Sequence, residues 1–271
     1  MSYTPLDLAA ALIQAGELAD ALAALNQHLA QQPQDDRARR LRAGVLKHLG
    51  GDDQLRAALA DLEQLTNPTA GDAIQQSILR EQTGDPAGAQ TILAQAHARW
   101  PDDERLTERF LSLLLAQNEA QTALAIVRKQ AQTWGWLQWE GDVLVALGDD
   151  ATATARYGLA LAQLEELIQP DNARYFGPIK ARLLLARAAA YHRLNLLDQA
   201  DAHYEAAGQI IPDDPTINFN RGLLAWERGD HDAAVRMCRT ALAAASESLR
   251  ARLLADLRAA SQAELLRQLD S

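Results

Sequence analysis

The hydrophobic and polar positions of this chain follow a long-period repeat, punctuated by residues that favour turns. Small and apolar residues recur at helical spacing between these turns, and the period-two alternation typical of strands is nearly absent. Successive turn residues are separated by 34, 34, 34, 30, 47 and 34 positions, so one shortening and one insertion interrupt a fixed register. The turn residues are Gly16, Gly50, Gly84, Asn118, Gly148, Asn195 and Gly229. A period of this length predicts an array of helical hairpins.

Other residues keep the same register. Alanines stand five positions after most turn residues, at Ala21, Ala89, Ala123, Ala153, Ala200 and Ala234. Small residues stand seven positions before most of them, at Ala9, Ala43, Ser77, Gly141, Ala188 and Gly222. Small side chains at both places let two antiparallel helices cross closely. Pro33, Pro101 and Pro212 stand seventeen positions after a turn residue, where proline ends the second helix because its ring cannot continue the hydrogen bonding.

The spacing resembles that of tetratricopeptide repeats, in which a W-x2-L-G-x2-Y segment is followed by A-x3-F and then by Pro. The best match runs through Ala188, Tyr191, Ala200, Tyr204, Ala207 and Pro212. Seven repeats cover roughly residues 4–245. The resemblance implies an all-α fold, a right-handed superhelical solenoid of about seven hairpins with a C-terminal capping helix, and about fifteen helices in total.

The register also predicts how the chain is organised. Residues 1–168 form an N-terminal array of five partly degenerate repeats, and residues 181–245 form two well-formed repeats. Residues 169–180 between them are an insertion, interpreted as a longer second helix plus a loop. Residues 246–271 form one amphipathic capping helix, since a terminal repeat needs its last packing face covered. The apolar stripe of this helix is Leu249, Leu253, Leu257 and Leu265, and its N-cap is Ser246 or Ser248.

Composition and charge narrow the function classes. Apolar residues make up 48% of the chain, which argues against intrinsic disorder. The formal charge of −10, without a basic run, argues against binding nucleic-acid phosphates. Cys238 is the sole cysteine, so the sequence predicts a packed thiol and no intramolecular disulfide. With no export signal and no membrane-spanning stretch of about 18 apolar residues in the sequence, we expect a cytoplasmic protein.

Catalytic and cofactor motifs are missing from the sequence. The six histidines lack metal-ligand spacing, and neither a phosphate-binding glycine loop nor a nucleophile elbow occurs. We therefore expect no enzyme activity, no cofactor and no metal. Pairs of aspartates recur where helices begin, which favours helix capping over acid–base chemistry. These pairs are Asp35-Asp36, Asp52-Asp53, Asp102-Asp103, Asp149-Asp150 and Asp213-Asp214.

The resemblance further implies that the first helix of each repeat lines a concave groove. Mapped onto this sequence, it predicts a partner-binding set of Trp139, Arg182, Leu185, His192, Arg193, Phe219, Asn220 and Trp226, with Ala189, Leu223 and Glu227 on the same faces. In this interpretation Trp139, Phe219 and Trp226 are apolar anchors. Arg193 and Asn220 orient the partner's backbone or acidic groups. The alternative is that the C-terminal helix, or the segment with Tyr175 and Phe176, fills the groove from within.

Two functions of different class fit this pattern, and a third fits it less well. The first is a non-enzymatic adaptor that binds a peptide or helix of a partner protein in the groove. The second is a ligand- or peptide-sensing regulatory domain that controls an enzyme or a transcription factor. An α-helical enzyme that uses paired carboxylates is the third. Homo-oligomerisation stays open.

Overall fold

The computed structural model describes residues 4–259 and 263–270, and over these residues the chain is all-α, which confirms the predicted fold class. The chain divides into two compact units, Met1–Gln117 and Asn118–Ser271, and within each unit most helices pack against the helices next to them in the chain. The described helices are α1 (Pro5–Ala15), α2 (Leu18–Gln31), α3 (Asp36–Leu49), α4 (Asp52–Glu63), α5 (Ala70–Gln82), α6 (Pro86–Arg99), α7 (Glu104–Ala116), α8 (Ala120–Val127), α9 (Trp134–Ala146), α10 (Asp150–Leu167), α11 (Ala173–Arg193), α12 (Leu197–Ile210), α13 (Pro215–Glu227), α14 (His231–Ala244), α15 (Glu247–Ala259) and α16 (Ala263–Asp270).

The turn residues identified from the sequence all adopt left-handed backbone conformations, with φ between 57° at Asn195 and 85° at Gly84 and Gly229. Each lies between the two helices of a predicted hairpin. Glycine takes this conformation without a steric penalty, and asparagine tolerates it better than most residues. The turn residues of the repeat register therefore share a positive φ; Gly51 and Asp213, which are outside that set, also have one.

The small residues of the register lie where helices cross. The six alanines that follow the turn residues by five positions are fully buried. A Cβ atom at Gly141 would lie 2.5 Å from the ring of Tyr157, and one at Gly222 would lie 2.6 Å from Sγ of Cys238. There is no room for a larger side chain at either crossing, which confirms the predicted reason for small residues.

Helix ends also follow the predicted chemistry. The carboxylates of Asp35, Asp103, Asp149 and Asp214 accept backbone N–H groups in the first turns of α3, α7, α10 and α13, so these members of the aspartate pairs are helix caps. The helices that precede Pro33, Pro101 and Pro212 end two residues before the proline, as predicted.

The insertion between the two arrays contains a short loop and the first turns of α11, so its loop is shorter than predicted; the 18-residue α10 before it agrees with the predicted longer second helix. Helix α11 begins at Ala173 and contains Pro178 as its sixth residue. Turn-favouring residues such as Pro170 and Gly177 suggested a loop, but a proline near a helix start removes only one backbone hydrogen bond and can be accommodated. The compact units divide between α7 and α8. The predicted grouping of repeats into residues 1–168 and 181–245 stays a prediction about sequence regularity.

The C-terminal segment forms two helices, α15 and α16, where one was predicted; residues 260–262 and 271 of the predicted cap lie outside the described residues. The hydroxyl of Ser246 accepts the backbone N–H of Leu249, as an N-cap does. Leu253 and Leu257 are buried on α15 and Leu265 on α16. Leu265 belongs to a separate apolar face with Leu266 and Leu269, because the second helix packs against α14 as well as α15.

Candidate functional site

A cavity of about 650 Å³ lies in the C-terminal unit between α11, α13 and α15, with one residue from α12. We call it the chamber. It is lined by Ala189, His192, Arg193, Asn195, Tyr204, Phe219, Asn220, Leu223, Trp226, Glu227, Leu253, Asp256 and Leu257.

Apolar side chains form most of its walls. Phe219 is 1% exposed and packs with Leu253 and Leu257, which α15 contributes. Trp226 is half-buried, and its ring lies 4.1 Å from the ring of His231 at an interplanar angle of 61°. Because buried neighbours hold the aromatic residues, the walls exist before any partner arrives.

An ion pair engages Arg193, and a contact with a carboxylate engages His192. Nε2 of His192 lies 2.9 Å from a carboxylate oxygen of Glu227, so the pair joins α11 to α13. Arg193 contacts Oδ1 of Asp150 through Nη2 at 2.7 Å, and its Nε donates to the same oxygen at 2.8 Å. Both contacts are partly open to solvent, so each contributes little to stability. Each contact nevertheless fixes the position of the side chains that form it.

Two further polar side chains of the chamber, Asn220 and Asp256, have no described bonding partner. Neither the amide of Asn220 nor the carboxylate of Asp256 forms a hydrogen bond or an ion pair with any residue that the structure describes. Burial raises the pKa of the Tyr204 phenol; nearby Arg193 opposes this shift and Glu227 adds to it. The phenol is therefore neutral at physiological pH and presents an O–H group. A neutral hydroxyl, an amide and a carboxylate without a described partner thus line the chamber beside its apolar walls.

The structure brings together five of the eight predicted site residues: His192, Arg193, Phe219, Asn220 and Trp226. Phe219 is a correction, because α15 and α16 cover it and make it a core residue of the wall, unavailable as an exposed anchor. The predicted alternative that the C-terminal helix covers the groove therefore holds for Phe219, while a cavity remains beside Trp226.

The other three predicted residues do not line the chamber. Arg182 is exposed, Leu185 packs against the core around Tyr157 and Tyr204, and Trp139 is half-buried on α9. Trp139 lies on α9, and Arg182 and Leu185 lie in the first part of α11. Leu185 holds the same position in its repeat as Phe219 does in the next one, so the groove-facing phase alone does not place a residue in the chamber. The segment with Phe176 packs against that same core, outside the chamber lining.

Five lining residues were missed by sequence reasoning: Asn195, which was predicted only as a turn residue, and Tyr204, Leu253, Asp256 and Leu257. Tyr204 lies on a second helix, which the family pattern assigns to packing. The α15 residues belong to a segment outside the repeat register, so no period indicated which face it presents. The leucine stripe, with Asp256 directly before Leu257, was the available signal.

Over residues 4–259 and 263–270, no group of three His, Cys, Asp or Glu side chains is arranged to hold a metal ion. Within the same ranges, none of the helices has the length and apolar character needed to cross a bilayer. Burial raises the pKa of the Cys238 thiol to about 12, so this thiol is protonated and packed, as its position on an apolar face predicted.

Solved structures of similar fold are tetratricopeptide repeat proteins. A tetratricopeptide repeat protein from Parabacteroides merdae superposes with a TM-score of 0.64 at 12% identity, covering 92% of this chain and 96% of that one. The C-terminal part of a TPR repeat-containing protein from Cytophaga hutchinsonii gives 0.62 at 15% identity, covering 88% and 94%. The MamA protein gives 0.52 at 15% identity, covering 63% of this chain and 93% of its own.

No protein-family model matches the sequence, and no curated protein matches it either. Likeness at such low identity shows the fold alone. The chain therefore has the tetratricopeptide-type fold, a solenoid of helical hairpins.

Proposed function

We propose that this chain is a non-enzymatic interaction scaffold that holds a peptide or helical segment of a partner protein in the chamber. The observation that carries the proposal is the combination of an apolar wall at Trp226 with polar groups, Asn220 and Asp256, that have no partner among the described residues. Interfaces take most of their binding energy from an aromatic side chain in a desolvated pocket, and nearby polar groups set the orientation.

The dimensions of the chamber support this role. A volume of about 650 Å³ accommodates the anchoring side chains of a short segment, and the rest of the segment stays outside. The polar rim, with Asn195, Arg193 and Glu227 exposed, lies where the backbone of such a segment would pass. The negative net charge and the expected cytoplasmic location complete the proposal, which includes no nucleic-acid partner.

A second function, the sensing of a small ligand, is favoured by the same volume. Pockets of about 300–1,000 Å³ are typical of small-molecule sites, and this one is preformed. Native mass spectrometry of the purified chain separates the two functions. A bound small molecule that persists in the folded chain supports the sensor, and its absence leaves the scaffold.

The scaffold is tested by immobilising the full chain, recovering binding proteins and measuring the direct affinity of each recombinant partner. Trp226→Ala is compared with Tyr175→Ala, an aromatic residue that is 64% exposed and lies outside the chamber. We expect Trp226→Ala to cost about 2 kcal/mol or more, which is roughly a thirtyfold loss of affinity. Tyr175→Ala should leave the affinity unchanged.

Equal affinities for the two variants, with helical content retained, would show that partners bind elsewhere on the chain. Size-exclusion chromatography with light scattering on the same samples reports whether the chain forms a homo-oligomer. It also shows whether a partner binds one copy or two.

A further inference from the structure

We infer that the chamber selects a partner segment carrying a basic side chain next to an apolar one; this inference rests on the proposed function. Charge complementarity decides the occupant. The chamber has an apolar wall for the apolar residue and an excess of negative charge for the basic one.

The charges lining the chamber do not balance. Arg193 is engaged by Asp150 through two nitrogens on one oxygen, and His192 is paired with Glu227. These pairs leave the carboxylate of Asp256 without an ion-pair partner among the described residues. An incoming anion would have to displace Asp150 or Glu227 from its partner and would then face Asp256.

A cation, in contrast, would find acceptors in the chamber that have no described partner. The Asp256 carboxylate and the Asn220 amide oxygen are free to accept hydrogen bonds from an ammonium or guanidinium group. The indole ring of Trp226 lines the same space, and a cation within about 6 Å of such a ring gains a further attraction. Long basic side chains also bury their methylene stems along apolar surface, which Leu223 and Leu253 provide.

The chain as a whole favours the same partner. Its formal charge of −10 attracts a basic segment over distances of about a Debye length, and this attraction weakens as salt is added. Affinity for the preferred segment should therefore fall with ionic strength, whereas binding through the apolar wall alone would not.

The experiment is a selection of random heptapeptides displayed on phage against the immobilised full chain, with the Trp226→Ala chain as counter-selection. Among peptides that depend on Trp226, we expect Lys or Arg beside an apolar residue to be enriched. Synthetic versions of these peptides are then titrated against the wild-type, Asp256→Asn and Asp171→Asn chains. Asp171 is the matched control because it is also exposed and lies outside the chamber.

Asp256→Asn should weaken binding about fivefold, as expected for one partly exposed ion pair, and Asp171→Asn should not. Replacing the basic residue of the peptide with Glu should weaken it further. Enrichment of acidic or uncharged peptides, or equal affinity for the two Asp→Asn chains, overturns this inference but leaves the scaffold standing. Failure to enrich any peptide that depends on Trp226 overturns the scaffold proposal itself.

Discussion

The two compact units use the same helical positions for different purposes. In the N-terminal unit, groove-facing positions of α3 carry Arg40 and Lys47, and both are tied to the next repeat. Arg40 holds Asp72 through Nε and Nη2, each 2.9 Å from a carboxylate oxygen, and Nζ of Lys47 lies 2.8 Å from Oε1 of Gln75. The polar groups of Arg40 and Lys47 therefore bond to the neighbouring repeat.

In the C-terminal unit, the equivalent faces of α13 carry Phe219, Asn220, Leu223 and Trp226. Among the chain's aromatic residues only Tyr3, Trp100 and Phe110 precede residue 118. Aromatic and aliphatic side chains cannot form ion pairs across repeats, so a space remains that α15 closes on one side. On these faces, polar side chains of α3 bond to α5, whereas the apolar side chains of α13 leave a space beside them.

A cavity of about 430 Å³ in the N-terminal unit illustrates the difference. Its lining includes Arg39 and Arg42 and no aromatic residue. Both guanidinium groups contact the carboxylate of Asp61, which is 3% exposed, and Arg39 also donates two hydrogen bonds to the backbone oxygen of Pro33. Their hydrogen bonds are directed into the protein, so this cavity offers a ligand fewer free polar groups than the chamber does.

The largest expected effect is that of Phe219→Ala. Removing a fully buried phenylalanine costs roughly 3–5 kcal/mol, and the loss should appear as faster amide hydrogen exchange in α13 and α15. Phe110→Ala is the matched change in the N-terminal unit, where the side chain is 5% exposed, and it should loosen that unit instead. If Phe219→Ala cost no more than the surface change Tyr175→Ala, the wall of the chamber would not be packed as described.

The next prediction compares a paired acid with an unpaired one. The same Asp→Asn substitution is made once in each unit. Asp61→Asn leaves Arg39 buried with less compensation and should cost roughly 3 kcal/mol in urea unfolding. Asp256→Asn should change stability by less than about 0.5 kcal/mol, because its carboxylate is exposed and has no described partner. Comparable losses for the two variants would contradict the description of Asp61 as a buried, paired acid and of Asp256 as an exposed acid without a described partner.

A smaller effect should be the same in both units. Ala89 and Ala200 are fully buried and stand five residues after their turn residues. Replacing either with Leu overpacks a helix crossing and should cost roughly 1–3 kcal/mol, read from the urea midpoint. An unchanged midpoint for Ala200→Leu would mean that the repeat alignment is wrong in its best-matched region.

The smallest effects concern pH and have opposite signs. Burial by itself raises the pKa of Asp72, but hydrogen bonds from Arg40 and Thr69 outweigh it and the pKa of the carboxyl is lowered. Its contribution to stability is present above the unfolded pKa of about 3.9 and is lost as pH falls through the lowered folded pKa. Burial raises the pKa of Asp142, and the hydrogen bond from Tyr157, at 2.6 Å, only partly offsets this. Asp142 therefore destabilises the fold when it is ionised, and acidification through its raised pKa relieves the penalty.

The matching measurement is urea unfolding of Asp72→Asn and Asp142→Asn at pH 7, 5 and 3. Relative to Asp72→Asn, the wild-type chain should lose its advantage as pH falls. Relative to Asp142→Asn, it should gain. The same slope for both variants would show that burial and pairing do not distinguish these carboxyls.

Most of the fold could be predicted from the sequence because its determinants are local. A left-handed turn residue, an alanine five positions later and a proline after the second helix each act on neighbouring backbone. Pro170 and Gly177 favour a turn, but the chain from Ala173 onward, including Pro178, is helical. Where local preferences conflicted, the sequence alone did not give the correct element.

The sequence by itself thus determined the repeat register, the turns, the crossings and the faces that carry His192, Asn220 and Trp226. Only the tertiary structure decided that Phe219 is buried in the wall of the chamber, that Arg193 pairs with Asp150, and that Asp256 lines the chamber. Periodicity places a residue on a face of its own helix, and the next helix in register covers a known part of that face. Helix α15 belongs to no repeat, so its position depends on which apolar surface of the last hairpin it buries most completely, and that is a property of the assembled fold.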